Sequence, residues 1–281
     1  INIFKLMNFS EKYTAFISCS PRSSDNTVVG LNQIKNCVKS LINELKFDKT
    51  EIYIIFDGIK NRPTSDFGEQ EIENYKSKIN YVKNLSDISD NPLISVIEFD
   101  EWLHQANSLK KVMTKYCKTP LIFSIQEDSL VIDGNNINMD IITDKLLNDQ
   151  SVEYIKLFIH KDLTILPGQE RLGRSVPGDY RPETLPATEH PNTNLLHKCK
   201  EWSDRPHFAT LKHYTERVWP KILPSFRCTM EQEVKFASIR NEAEWNLWIY
   251  GERYNMKHEC DIAYTNSGLG SAFHKKGTHR N

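Results

Sequence analysis

A chain of 281 residues, 39% hydrophobic and 26% charged with a net charge of −1, can bury a sizeable core and has the composition of an ordinary soluble protein. Near neutrality argues against nucleic-acid or anionic-membrane binding through bulk charge, and no apolar run approaches the ~18 residues of a membrane span. Residues 1–10 lack the apolar stretch of a signal peptide, and six cysteines without a close pair form neither a disulfide framework nor a zinc knuckle, so a reducing, cytoplasmic setting is expected.

In chain order, Tyr13 to Cys19 reads as a strand and residues 20–26 as a polar turn. Val28, Leu31, Ile34, Val38, Leu41, Ile42 and Leu45 then recur at helical spacing. A second strand, Glu51 to Phe56, ends at Asp57-Gly58, and a weaker helix follows over 70–82. Residues 93–99 form the third strand, and Ala106, Leu109, Val112, Met113 and Tyr116 mark the helix after it. Behind Lys118-Thr119-Pro120, a turn signal, the fourth strand stops abruptly at Gln126-Glu127-Asp128, and an apolar segment resumes at once. A helix over 141–147 and a strand over 152–159 close the regular part. Such alternation predicts an α/β fold with a mostly parallel central sheet.

The pattern breaks after His160. Residues 162–206 hold six prolines and little periodicity. Helices are expected over 211–223 and 230–239, followed by aromatic-rich segments at 245–250 and 262–264. The tail, residues 268–281, is rich in glycine and basic residues. We expect one domain over 1–281, with residues 11–160 as one half and 161–281 as the other.

Ligands of parallel α/β sheets gather at the carboxyl ends of the strands. Those ends carry Ser18, Ser20 and Arg22 on the first loop, Asp57-Gly58 after the second strand, and Gln126-Glu127-Asp128 after the fourth. An acid after the second strand can accept from a ribose or a base edge, although Asp-Gly is equally a strong turn dipeptide. Carboxylates without a basic neighbour in sequence suit a hard divalent cation that bridges to phosphates.

In order and approximate spacing, these motifs resemble the GT-A glycosyltransferases, which use nucleotide sugars on a single Rossmann-like sheet. The resemblance implies that Ser18, Ser20, Arg22, Asp57 and Gly58 hold the nucleoside. It places Gln126 at a ribose-contacting position that is usually acidic, Glu127 beside the donor, and Asp128 on the metal. It also implies that the C-terminal His274 returns to the metal, with Lys275, Lys276, His279 and Arg280 against the diphosphate; a basic tail can equally be a solvated terminus. Imidazole beside carboxylate moves the expected ion from Mg²⁺ toward Mn²⁺.

For an inverting member the resemblance further implies a general base at a helix start roughly a hundred residues beyond the metal motif, where Glu231 stands in Thr229-Met230-Glu231-Gln232. The same four residues read as a capping box. Asp204 is the rival base. The Pro-rich loop with Gln169, Arg171 and Arg174, plus Trp202, Trp245 and Trp248, is expected to build the acceptor side of a helical and aromatic-rich C-terminal region, though core packing is the commoner place for any one Trp. The implied function is metal-dependent transfer from a nucleotide sugar, UDP-sugar above others, to an oligosaccharide or glycoprotein hydroxyl. The chain is also loosely similar to the capsid-glycan glycosyltransferases of large algal viruses, xylosyltransferases among them, which would place it in host cytoplasm and make UDP-xylose the best single donor. A sugar nucleotidyltransferase is the alternative, but the segment from Ser18 to Asn26 contains no glycine to cradle a triphosphate. A non-catalytic glycan-binding module is the third reading.

Overall fold

The structure, a computed structural model, describes residues 8–21, 28–59, 68–127, 129–132, 134, 137–157, 189–190, 193–198, 202–204, 206–222, 230, 234, 237–238, 245–250 and 263–266. Its first half follows the predicted alternation closely. Strand β1 (Tyr13–Cys19) leads to α1 (Val28–Glu44), β2 (Glu51–Phe56), α2 (Glu69–Lys83), a single turn α3 (Ser86–Ser89), β3 (Ile94–Glu98) and α4 (His104–Tyr116). Then come β4 (Leu121–Gln126), β5 (Ser129–Ile132), α5 (Met139–Asn148) and β6 (Tyr154–Leu157). The Asn138 side chain opens α5 by accepting from Ile141 N–H at 3.0 Å, which satisfies a donor the helix itself cannot pair.

β1, β2, β3 and β4 pair in parallel, so their carboxyl ends share one edge. Side chains alternate across this layer. Ala15, Ile17, Ile54, Phe123 and Ile125 face α1, α2 and α5 in one core, whereas Phe16, Ile55 and Ile122 face α4 in another. Burial on both faces explains the nearly continuous apolar runs of β1 and β4.

The second half departs from local pattern. β7 (Glu189–His190) and β8 (Thr193–Lys198) lie inside the segment expected to be irregular, and β8 is held by antiparallel pairing with β10 (Leu247–Tyr250). β9 (His207–Thr210) runs antiparallel between β4 and β6. The sheet order among the described residues is therefore β3-β2-β1-β4-β9-β6-β10-β8-β7, and strands from both halves of the chain share it. This is a mostly parallel central sheet flanked by helices, the Rossmann-like class expected from the sequence. A separate pair joins β5 to β11 (Ala263–Asn266).

The helix expected over 211–223 is a short α turn, Leu211–His213, that widens to a π turn over Tyr214–Val218 and tightens to a 3-10 turn over Trp219–Lys221. Pro220 has no N–H to continue the ladder, which accounts for the irregular end. No helix among the described residues is long and apolar enough to cross a membrane.

Candidate functional site at the carboxyl edge of the sheet

Parallel pairing sets the carboxyl ends of β1 and β4 side by side, with Ser18 opposite Gln126. Ser18 C=O accepts from Glu127 N–H at 3.1 Å, so the loop after β1 and the carboxylate turn are one hydrogen-bonded unit. Ser18 itself is buried, and Ser20 is half-buried at the edge. Arg22 lies outside the described residues.

Asp57 ends β2 almost out of solvent. Its Oδ1 accepts from Gly58 N–H and Leu103 N–H, both at 2.9 Å. Burial pushes the Asp57 carboxyl up to about 6, against the opposing pull of these backbone donors. Gly58 is required by contact, because a Cβ there would stand 2.2 Å from the backbone of Glu101. The segment closing over Asp57, Trp102-Leu103-His104, was not singled out by sequence reasoning. His104 adopts φ 67°, a left-handed backbone that L residues rarely take, and its ring meets Trp102 edge-on at 5.8 Å. The only signal in the sequence was an aromatic pair between a strand end and a helix start.

The raised carboxyl has a testable consequence. Folded Asp57 keeps its proton up to pH of about 6, whereas an ordinary Asp ionises near 3.8. The stability it contributes is present below the lower value and lost as pH rises through the upper one. Asp57→Asn retains the Oδ1 acceptor and cannot ionise. Its melting temperature, measured against wild type, should rise progressively between pH 4 and 6 and then level. A difference that stays constant over that range would contradict the assignment.

Gln126 and Glu127, adjacent in the carboxylate turn, diverge. Gln126 Nε2 donates to Asp204 Oδ2 at 3.0 Å, which brings Asp204 to the same edge. Antiparallel β9 makes this possible: its first residue, His207, stands opposite both Ser124 and Lys156, so the residues before it arrive where β4 and β6 end. Ser203 C=O accepts from Tyr154 Oη at 2.7 Å, and Pro206 C=O from Leu157 N–H at 2.9 Å, fixing Asp204 between two anchors. Beneath it, His207 Nε2 and Tyr214 Oη share a buried hydrogen bond of 2.7 Å.

Glu127 turns the other way. Its carboxylate has 0% exposure and meets Lys78 Nζ of α2 at 2.7 Å, also at 0%. Lys78 was missed by sequence reasoning, since a lysine in an amphipathic helix is ordinarily solvated.

Asp128 lies outside the described residues, as do Glu231, His274, Lys275, Lys276, His279, Arg280, Gln169, Arg171 and Arg174. Their surroundings are informative. β11 pairs antiparallel with β5 so that Asn266 stands opposite Ser129, which returns the chain just before the basic tail to the residue after Asp128. Met230, Val234 and Ser238 are helical and buried at four-residue spacing, and Ser238 Oγ accepts from Trp202 N–H at 3.0 Å. This bond ties Ser238 to the segment carrying Asp204.

One expectation is corrected. Trp202, Trp245 and Trp248 are buried at 0%, 3% and 4% exposure, too enclosed to stack on a sugar. Trp202 and Trp245 pack in the core beside α4, and Trp248 Nε1 donates to Ser151 C=O at 2.7 Å. The mainly apolar bulk of these rings decides their place.

Among the described residues no three His, Cys, Asp or Glu side chains gather as a metal group.

No family model and no curated protein matches the chain. Among solved structures it is similar to S. aureus TarS 1-349 at 10% identity and TM-score 0.49, over 92% of this chain and 61% of that one. The aligned region covers only 38% of a longer TarS chain. It is also similar to GalNAc-T7 solved with UDP, GalNAc and Mn²⁺, at 11% identity and TM-score 0.47, over 85% of this chain and 42% of that one. A cytidylyltransferase from Leptospira borgpetersenii aligns at 12% identity and TM-score 0.41, over 85% of this chain and 75% of that one. At such scores none of these likenesses carries an argument about ligand or reaction.

Proposed function

We propose that the chain is a nucleotide-sugar glycosyltransferase of the GT-A type, one domain whose residues 11–160 take the donor and whose residues 161–281 take the acceptor. The observation that carries this reading is the meeting, at one sheet edge, of the Ser18–Ser20 loop, Asp57, Gln126-Glu127 and Asp204. These are the positions at which the resemblance to GT-A enzymes puts nucleoside, diphosphate and acceptor.

In this reading the nucleoside lies between the loop carrying Ser20 and Arg22 and the end of β2. Asp57, its carboxylate held by backbone N–H donors, accepts from base or ribose. Asp128 and His274 would hold a divalent cation, Mn²⁺ or Mg²⁺, which would supply positive charge against the leaving diphosphate. Lys275, Lys276 and Arg280 add to that field. Glu231 accepts the proton of the acceptor hydroxyl as its oxygen attacks the anomeric carbon, and the bond to the nucleoside diphosphate breaks with inversion. Asp204, oriented by Gln126, accepts a hydrogen bond from the acceptor and aligns it. The likeness to viral capsid-glycan xylosyltransferases makes UDP-xylose the first donor to try.

Product analysis separates this from the nucleotidyltransferase reading. Incubation with Mn²⁺, a series of UDP-sugars and oligosaccharides should release UDP. Release of pyrophosphate from a nucleoside triphosphate and a sugar phosphate, with no UDP from any donor, would decide for the alternative.

A further inference from the structure

We infer that α2 positions the two ends of the nucleotide site relative to one another, through Tyr75 and Lys78 on one helical face. These residues are three apart and therefore neighbours on the helix surface. Tyr75 Oη donates to Asp57 C=O at 2.9 Å, at the end of β2. One turn on, Lys78 Nζ reaches Glu127 Oε2 at 2.7 Å, in the turn after β4. The other oxygen of Glu127, Oε1, accepts from Ser20 N–H at 3.3 Å, in the loop after β1. Three segments that approach the sheet edge separately are thus fastened to a single helix.

The energetics favour positioning over stability as the role of the ion pair. Lys78 and Glu127 are both fully buried, so each loses its hydration, and their attraction largely serves to recover that loss. An apolar pair of similar size would hold the fold as well. It would not hold Ser20 N–H, nor set the height of the turn that leads into Asp128. Glu127 is consequently a positioning residue facing inward. The meaning of this arrangement for the donor rests on the function proposed above; its geometry does not.

The test uses Lys78→Met/Glu127→Leu in the full chain, because a single substitution would strand a buried charge. Amide hydrogen exchange reports the fastening without any ligand. Protection at Ser20 and Glu127 should fall about tenfold or more, while Phe16 and Phe123 inside β1 and β4 remain as protected as in wild type. In parallel, calorimetric affinity for UDP with Mn²⁺ should weaken roughly 10- to 100-fold, the usual effect of removing a supporting partner behind a ligand-binding residue. A folded variant with wild-type protection at Ser20, or with undiminished UDP affinity, would overturn the inference. Should wild type bind no UDP, the proposed function fails by itself and the exchange measurement still decides the role of α2. If the first variant does not fold, Lys78→Met/Glu127→Met keeps more of the side-chain length without restoring an acceptor for Ser20 N–H, and the same readouts apply.

Discussion

Glu231→Gln is expected to lower turnover by roughly two to four orders of magnitude, the usual contribution of a positioned general base, with little change in UDP-sugar affinity. The substitution keeps the side-chain volume and a carbonyl oxygen, so helix capping is largely retained and the loss reports chemistry. Asp204→Asn should act differently. Gln126 donates to Asp204 Oδ2, and a rotated Asn can still present an oxygen there. The expected effect is a smaller loss, seen mainly as weakened acceptor binding. A preserved rate in Glu231→Gln together with a collapsed rate in Asp204→Asn would reverse the two roles. Indifference to both would point to retention of anomeric configuration, which NMR of the product's anomeric proton resolves.

The second large effect is at the metal. Asp128→Ala should abolish metal-dependent donor binding while leaving the melting temperature close to that of wild type. In sequence Asp128 follows the end of β4, where a strand-end carboxylate is not a core residue type. Removing residues 273–281 should weaken donor affinity and turnover together, through loss of His274 and the cations that follow it. Full activity in Asp128→Ala would remove the foundation of the metal assignment.

Much of the first half of the chain was legible in the sequence because its elements are local. β1 and β4 are buried on both faces and read as apolar runs, while α1 and α4 repeat at helical spacing. The strand-end residues Ser18, Asp57 and Gln126 follow from that alternation, since a parallel sheet aligns its carboxyl ends. Pairing between distant segments was not legible. β8 is a strand because β10 lies beside it, and β9 is the antiparallel insertion that carries Asp204 to Gln126. Nothing local in either segment announces its partner.

Side-chain direction was equally hidden. Glu127 and Asp128 are adjacent acids in sequence, yet the partner that engages Glu127, Lys78, sits in a helix on another part of the chain. A lysine at full burial has no local signature distinguishing it from the solvated lysines of α2. For the tryptophans the sequence offered both sugar stacking and core packing, and burial decides for the core at Trp202, Trp245 and Trp248. Aromatic composition alone does not separate the two uses.

The central claim, a nucleotide-diphosphate site completed by a divalent cation at the carboxyl edge of the sheet, is tested most directly by calorimetric titration of UDP into the wild-type chain with and without Mn²⁺. The account predicts saturable one-to-one binding with Mn²⁺, at least about tenfold weaker binding after chelation, and no Mn²⁺ enhancement in Asp128→Ala. Absence of UDP binding in the presence of Mn²⁺, or binding of equal strength with and without it, would contradict the claim.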